Sequence, residues 1–481
     1  MNASNQKNED IGIKKCPTGI LGLDDVLEGG LPRGRATLVC GGPGSGKTML
    51  GVEFLAKGAD NYKEPGVLVS FEESREELIE DAISLGFNLV RLEDAKMLNI
   101  DYIKIRRENI AVTGEYDLDG LFIRINQALS SIGAKRIVID TLESLFTNLT
   151  NKGIIRAELR RLFQWLKEKE ISTVITAERG EGMLTRHGLE EYISDCVIVL
   201  DNRVEDQLTT RRLRILKYRG SAHGTNEYPF IMSNQGISVM PITKIVLDYD
   251  ISNDFVSTGI SGLDLMLGGN GFYKGSSILI SGVPGTGKTS FASAFISAQC
   301  KKGEKCIYFA FEESKHQILR NLRTIGIDLR EWEPNLLQIV NNLPTEYGLE
   351  SHLASIYRQV TNFKPRNIVI DPFTSFETIG NIREMKSFLT RLITFFKQKG
   401  ITTIITQLLP FNKNQEKLIV LSDLGNSNIV SLIDSWILLG VIEKENQQQR
   451  QVQIIKSRGM AHSKKICRYD LSDEGINIDF S

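Results

Sequence analysis

Two glycine-rich runs, GGPGSGKT from Gly41 to Thr48 and SGVPGTGKT from Ser281 to Thr289, each place a lysine directly before a threonine. The glycines let the backbone curl so that successive N–H groups point inward, and a helix opening at the lysine adds its positive end. Such a loop suits a chain of phosphates. Gly42, Gly44, Ser45, Gly46 and Lys47 in the first run, and Gly285, Thr286, Gly287 and Lys288 in the second, are expected to cradle ATP. The hydroxyls of Thr48 and Thr289 are expected to ligate Mg2+. Each run follows an apolar strand-like segment and precedes a helical one, the context that separates a phosphate loop from a plain glycine turn.

A divalent cation at such a loop also needs a carboxylate. Asp140 ends the apolar run RIVID and Asp371 the run NIVID, where a carboxylate emerging beside the loop can hold Mg2+ through water. Hydrolysis further requires a group that orients or deprotonates the attacking oxygen. Glu72 and Glu73, like Glu312 and Glu313, end another strand-like run in the repeated segment FEES. Adjacent strand residues point to opposite faces, so only one glutamate of each pair can be the principal base. Capping of the following helix fits at least one of each pair. A last motif, KxRGxxH, comprises Lys217, Arg219 and His223, then Lys456, Arg458 and His462. Alternating basic residues are ordinarily a solvated strand edge, yet lysine and arginine two apart share a face and could meet a γ-phosphate bound by a neighbouring subunit.

These side chains need a scaffold that brings strand ends together. Short β-branched runs (ATLVC, GVLVSF, RIVID, TVIT, CVIVL) alternate with helical stretches such as Ala157 to Lys169. That alternation indicates an α/β fold, a mainly parallel sheet with helices on both faces and ligands at the carboxyl ends of the strands. The plan is written twice. The loop lysines lie 241 residues apart, the FEES segments 240, the aspartates 231 and the KxRG lysines 239, so only connecting loops differ in length. With 481 residues, two domains are expected, 1–245 and 246–481. A net charge of -1 offers no global attraction to nucleic acid or anionic lipid. The six cysteines show no metal-type spacing and read as free thiols of a reducing cytosol. The polar start MNASNQKNED is unlike a signal peptide, and no apolar run reaches membrane-spanning length, so a cytoplasmic location is expected.

The opening TGILGLDDVLEGGLPRG from Thr18 and its copy from Thr258, the AERGEG segment at Ala177, EEYISD at Glu190 and the KxRGxxH pair together resemble the KaiC family, from about Thr18 to the end of the chain. The resemblance implies two tandem RecA-like P-loop NTPase domains in a double-ring homohexamer with ATP at subunit interfaces. It implies slow ATPase activity in the first ring, and in the second a kinase and phosphatase acting on the protein's own Ser/Thr residues. By position, Glu72, Glu73, Glu312 and Glu313 resemble the catalytic pairs, and Lys217, Arg219, Lys456 and Arg458 the residues that reach a neighbour's nucleotide. The family's phosphate-accepting Ser-Thr pair corresponds to Val430 and Ser431, leaving one hydroxyl. The chain stops at DLSDEGINIDFS, without the long tail that recruits a stimulatory KaiA-like partner. The segment GEYDLDGLFIRIN from Gly114 resembles the docking region for a small KaiB-like protein, although the same residues could begin a core helix.

The leading expectation is therefore a hexameric ATPase with serine autokinase capability, working as a nucleotide-driven timer or signalling switch. Two other classes compete with it. A nucleic-acid motor would use basic clusters such as RRLRILKYR near Arg211. A scaffold that binds ATP without useful turnover would have no need of the glutamates.

Overall fold

The computed structural model describes residues 12–104, 119–146, 152–180, 194–205, 208–241, 252–346, 348–409, 431–444 and 447–480. Residues Gly114–Leu118 of the docking segment, Glu190–Ile193 of the EEYISD segment, Val430, and the neighbourhood of residue 245 lie outside them. The chain divides into two compact units, Met1–Thr243 and Lys244–Ser481.

Each unit is built on a nine-stranded sheet with the same strand order. In the first unit the P-loop strand Ala36–Gly41 lies between Ser172–Glu178 and Cys196–Glu205, parallel to both. Outward from Ser172–Glu178 come Arg136–Asp140, Gly66–Ser70 and Leu98–Tyr102, all parallel. On the other side Leu208–Tyr218, Glu227–Ser233 and Gly236–Val239 continue antiparallel from Cys196–Glu205. The second unit repeats this with Ser277–Gly282 between Thr402–Leu408 and Ser435–Lys444, followed outward by Asn367–Asp371 and Cys306–Ala310. Strands buried on both faces read as continuous apolar runs, which is why ATLVCG, GVLVS and RIVID show no alternation.

The helix Lys47–Tyr62 runs back across this sheet, burying Leu50, Val52, Phe54, Leu55 and Ala59. Gly51 permits its close approach, since a Cβ there would stand 2.7 Å from Val138 Cγ1 on the strand that ends in Asp140. The same helix carries Glu53, 1% exposed, whose Oε2 accepts the Ile237 N–H at 2.7 Å. This bond ties the P-loop helix to the last strand of the sheet. The equivalent position of the second unit is Ala294.

All six cysteines are buried and none of them forms a disulfide. Among the described residues no helix is long and apolar enough to cross a membrane.

Burial pushes the Glu53 carboxyl up to about 7, against the opposing pull of the Ile237 N–H and the Lys57 charge. In the unfolded chain an ordinary glutamate titrates near ~4.3. The folded unit thus binds the proton more tightly, and stability present below about 4.3 is lost as pH rises through about 7. Glu53→Gln keeps an acceptor for Ile237 and removes the titration. Urea unfolding of the first unit should show a smaller loss of stability between pH 5 and 8 in this variant. An identical pH slope in both proteins would contradict the assignment.

Candidate functional site

Each P-loop closes through a left-handed glycine at its helix N-cap, Gly46 at φ 95° and Gly287 at φ 83°. Residues with a Cβ rarely adopt that conformation. The lysine that follows is drawn over the loop: Lys47 Nζ donates to the carbonyls of Gly41 and Gly42, both at 3.0 Å. Lys288 Nζ donates to Gly282 at 2.9 Å and Val283 at 3.0 Å. Ser45 Oγ is fully buried beside the loop and has no protein partner, while Thr286 Oγ1 donates to Val283 O at 2.8 Å.

The aspartates face these loops across an intervening strand rather than from the adjacent one. Thr48 Oγ1 donates to Asp140 Oδ2 at 2.9 Å, and Thr289 Oγ1 to Asp371 Oδ2 at 2.8 Å. The intervening strand supplies a second hydroxyl, Thr176 to Asp140 Oδ1 and Thr406 to Asp371 Oδ1. Burial pushes the Asp140 carboxyl up, and the Thr176 and Thr48 hydroxyls with the Lys47 charge pull it back. The motifs STVITAE and TTIITQ carry these threonines at one repeated position, a signal that marked the repeat without revealing the contact. In the first unit a further carboxylate joins the network. Glu143, 6% exposed, accepts from Thr141 Oγ1 at 2.5 Å and from the Glu178 N–H at 2.6 Å. Its counterpart in the second unit is Thr374, which accepts from the Leu408 N–H at 3.4 Å.

The glutamate pairs are not strand residues. Their strands end at Ser70 and Ala310, and each pair occupies the bend that follows. Nor does either glutamate cap the next helix, because Ser74 and Ser314 form complete capping boxes with Glu77 and Gln317. Both glutamates of each pair are thereby left available to the site. Glu72 Oε1 accepts from Ser144 Oγ at 3.0 Å and Glu312 Oε1 from Ser375 Oγ at 2.8 Å. Glu73 is half-buried, and its Oε2 is enclosed without a protein partner. Desolvation, then the charges of Asp140, Asp81, Glu77 and Glu72, push its carboxyl up to about 7. Glu313 is raised by burial and by Asp371, but Asn321 replaces Asp81 and donates to Glu313 Oε2 at 3.4 Å.

The KxRG motifs fall elsewhere. Tyr218 pairs with Cys196, and Cys196 with Thr37, at the start of the P-loop strand. Four residues of extended chain at ~3.3 Å each separate that level from Gly41, where the loop begins. The same holds for Ser457, paired with Ser435, which pairs with Ile278. Lys217, Arg219, Lys456 and Arg458 therefore lie at the end of the sheet opposite their own P-loops. Arg219 and Arg458 sit just past the strand ends, so the expected two-apart strand face is not formed. His223 stacks on Tyr218 at 6.3 Å between ring centroids, and His462 Nδ1 lies 3.4 Å from Met460 O. Arg458 Nη2 donates to Ser431 O at 2.7 Å and Lys456 Nζ to Ile433 O at 2.7 Å, so the exposed Ser431 shares this end of the sheet.

Two P-loops, each clasped to a strand-end aspartate within a RecA-like sheet, define a tandem P-loop nucleotide-binding protein. The family model described as "ATPase: KaiC" matches residues 16–244 and again 256–480. The chain is 48% identical over 472 residues to circadian clock protein KaiC2 of Synechocystis, covering 98% of this chain and 82% of that one. It is 38% identical over 481 residues to circadian clock oscillator protein KaiC of Synechococcus elongatus, covering 99% and 91%. The protein belongs to the KaiC family, and each half is an ATP-binding ATPase domain of that family.

Truncating Glu143 would leave the Glu178 N–H without its side-chain acceptor and the Thr141 hydroxyl with the longer bond to Thr176 O at 3.4 Å. Glu143→Ala is expected to destabilise that unit by about 1–3 kcal/mol, the usual cost of an unsatisfied buried donor. Glu143→Thr, the residue of the second unit, should recover part of it. Denaturant midpoints measure both, and an unchanged midpoint for Glu143→Ala would contradict the bracing role.

Proposed function

We propose that the protein is an ATP-hydrolysing homohexamer in which each nucleotide is held by the P-loop of one subunit and completed by the KxRG motif of the next. The supporting observation is the placement of that motif at the far end of the sheet from its own P-loop. A nucleotide that these basic groups meet is therefore one bound outside their own unit, which a neighbouring copy would supply.

Within the site, Lys47 and Lys288 bind the β and γ phosphates, and the loop N–H groups orient them. Thr48 with Asp140, and Thr289 with Asp371, would hold Mg2+. Their oxygen-only donor sets and the enclosed, unpartnered Glu73 Oε2 fit a hydrated cation. Magnesium, when bound, offsets charge developing on the phosphoryl oxygens. Glu72 or Glu73 orients a water and takes its proton as the new P–O bond forms and the bond to the β,γ-bridging oxygen breaks.

In the second unit Ser431 is the proposed acceptor of phosphate. Its backbone is held by Arg458, so the hydroxyl and the motif that reaches a neighbour's nucleotide travel together. Glu312 of the adjoining subunit would take the serine proton as the γ-phosphoryl group moves to Oγ and ADP leaves. One hydroxyl allows one modified state, which carries about -1.5 to -2 charges at the interface. The clock proteins that this chain resembles suggest a timer or signalling switch in the cytosol, and six buried cysteines that form no disulfide suit that compartment. A KaiB-like partner would fit the helix Asp119–Ile132, where Ile123 is 70% exposed beside the stacked Phe122–Trp165 pair.

Intact mass spectrometry after incubation with Mg-ATP tests the transfer: wild type gains one phosphate, and Ser431→Ala and Glu312→Gln gain none. Persistence of the phosphate in Ser431→Ala would overturn the acceptor. In parallel, Glu72→Gln with Glu73→Gln should remove most phosphate release, at least tenfold more than a surface Glu80→Gln control. Retained release would overturn the catalytic assignment in the first unit.

A further inference from the structure

The two cation-holding aspartates do not have the same neighbours. Among the described residues Asp140 accepts two hydroxyl hydrogen bonds, Thr176 on Oδ1 and Thr48 on Oδ2. Asp371 accepts three, because Tyr308 OH also donates to Oδ2 at 2.5 Å. Oδ2 is the oxygen that Thr289 contacts, so the additional donor falls on the side of the carboxylate that faces the P-loop.

The difference arises from one substitution at equivalent places. In both sheets the strand that leads to FEES is registered against the aspartate strand, Ser70 opposite Asp140 and Ala310 opposite Asp371. Two residues earlier stand Leu68, opposite Val138, and Tyr308, opposite Val369. Leu68 is buried and apolar. Tyr308 is 0% exposed, held within the core of the second unit among Ile280, Phe295 and Ile404. Its ring is fully enclosed, and its phenol donates to Asp371 with the Ser293 hydroxyl beside it.

A carboxylate oxygen has two acceptor positions, and hydrogen bonds to an ionised group are among the stronger ones. On Asp371 Oδ2 both are taken, by Thr289 and Tyr308. A cation-bound water must displace or share one of these donors, whereas Asp140 Oδ2 has one position open. Donation from the phenol also withdraws charge from the carboxylate and makes it a poorer acceptor.

We infer that Tyr308 weakens the grip of the second nucleotide site on its divalent cation, so that the second unit demands more magnesium than the first. The inference rests on the reading of Thr289 and Asp371 as the cation-holding pair. Tyr308 is fully buried behind Asp371 and acts through it as a positioning residue. A unit that loads its cation at a higher concentration responds to cellular magnesium over a range where the first is already saturated.

The test uses the full chain carrying Lys47→Ala, which silences the first site, with a fluorescent non-hydrolysable ATP analogue titrated at increasing free Mg2+. Tyr308→Phe keeps the ring and removes the donor. It should lower the Mg2+ concentration for half-maximal analogue binding by about three- to tenfold, the size expected for one ordinary intramolecular hydrogen bond. Tyr308→Leu, the residue of the first unit, should move the midpoint the same way. An unchanged or higher midpoint in a folded Tyr308→Phe protein would overturn the inference while leaving the P-loop assignment intact. Absence of analogue binding at every Mg2+ concentration in the Lys47→Ala protein would overturn the site assignment and the inference together.

Discussion

A carboxylate buried at the end of a central strand has to be hydrogen-bonded, and the remainder of each nucleotide site is arranged around that need. Asp140 is 5% exposed and Asp371 8%. Leaving such a group unpartnered costs several kcal/mol, of order 2–7 for a buried polar group. Threonine hydroxyls from two directions meet the need: one on the P-loop helix and one on the strand between loop and aspartate. Because the P-loop threonine is one of these donors, satisfying the aspartate also fixes the first turn of the helix and the loop before it. Gly51 serves the same end in the first unit by letting that helix settle onto the aspartate strand.

Duplication has kept this clasp and altered what surrounds it. The first unit adds carboxylates: Glu143 bridges two strand ends, Asp81 and Glu77 lie near Glu73, and Glu53 is buried beneath the helix. In the second unit these positions are Thr374, Asn321, Gln317 and Ala294, and a phenol takes the place of Leu68. The electrostatic setting of the two glutamate pairs therefore differs sharply although their backbones follow the same path. Desolvation and the negative charge around Glu73 raise its carboxyl to about 7, where a carboxylate is partly ionised near neutral pH and is a stronger proton acceptor than an ordinary glutamate. The milder surroundings of Glu313 accompany the unit that also carries Ser431.

Much of this was legible in the residues themselves. The P-loops, the strand-end aspartates, the duplication and the mainly parallel sheet follow from local patterns whose meaning does not depend on distant contacts. Register and connection were less accessible. Nothing in RIVID says that another strand separates it from the P-loop, so Thr176 and Thr406 were visible only as repeated letters. The capping role of the glutamates was overturned by Ser74 and Ser314, whose S-x-x-E and S-x-x-Q spacing was present in the sequence and outcompetes a carboxylate one residue too early. Glu143 and Tyr308 could not have been singled out within TLESLF and CIYFAF, because Glu178 and Asp371, which they meet, lie on other strands. The far-end placement of KxRG likewise required the register of an antiparallel ribbon.

That placement carries the central claim, that a nucleotide bound by one subunit is completed by the next. Mixing defects tests it most directly. One protein carries Lys47→Ala and Lys288→Ala, with intact KxRG motifs; the other carries Lys217→Ala, Arg219→Ala, Lys456→Ala and Arg458→Ala, with intact P-loops. Each alone should release little phosphate. Co-expressed and purified as mixed assemblies, they should regain turnover, up to about a quarter of wild type for random equal mixing, since half the P-loops are intact and half of those face an intact motif. Mixed assemblies that are no more active than the two separate proteins would contradict completion of the site by a neighbour.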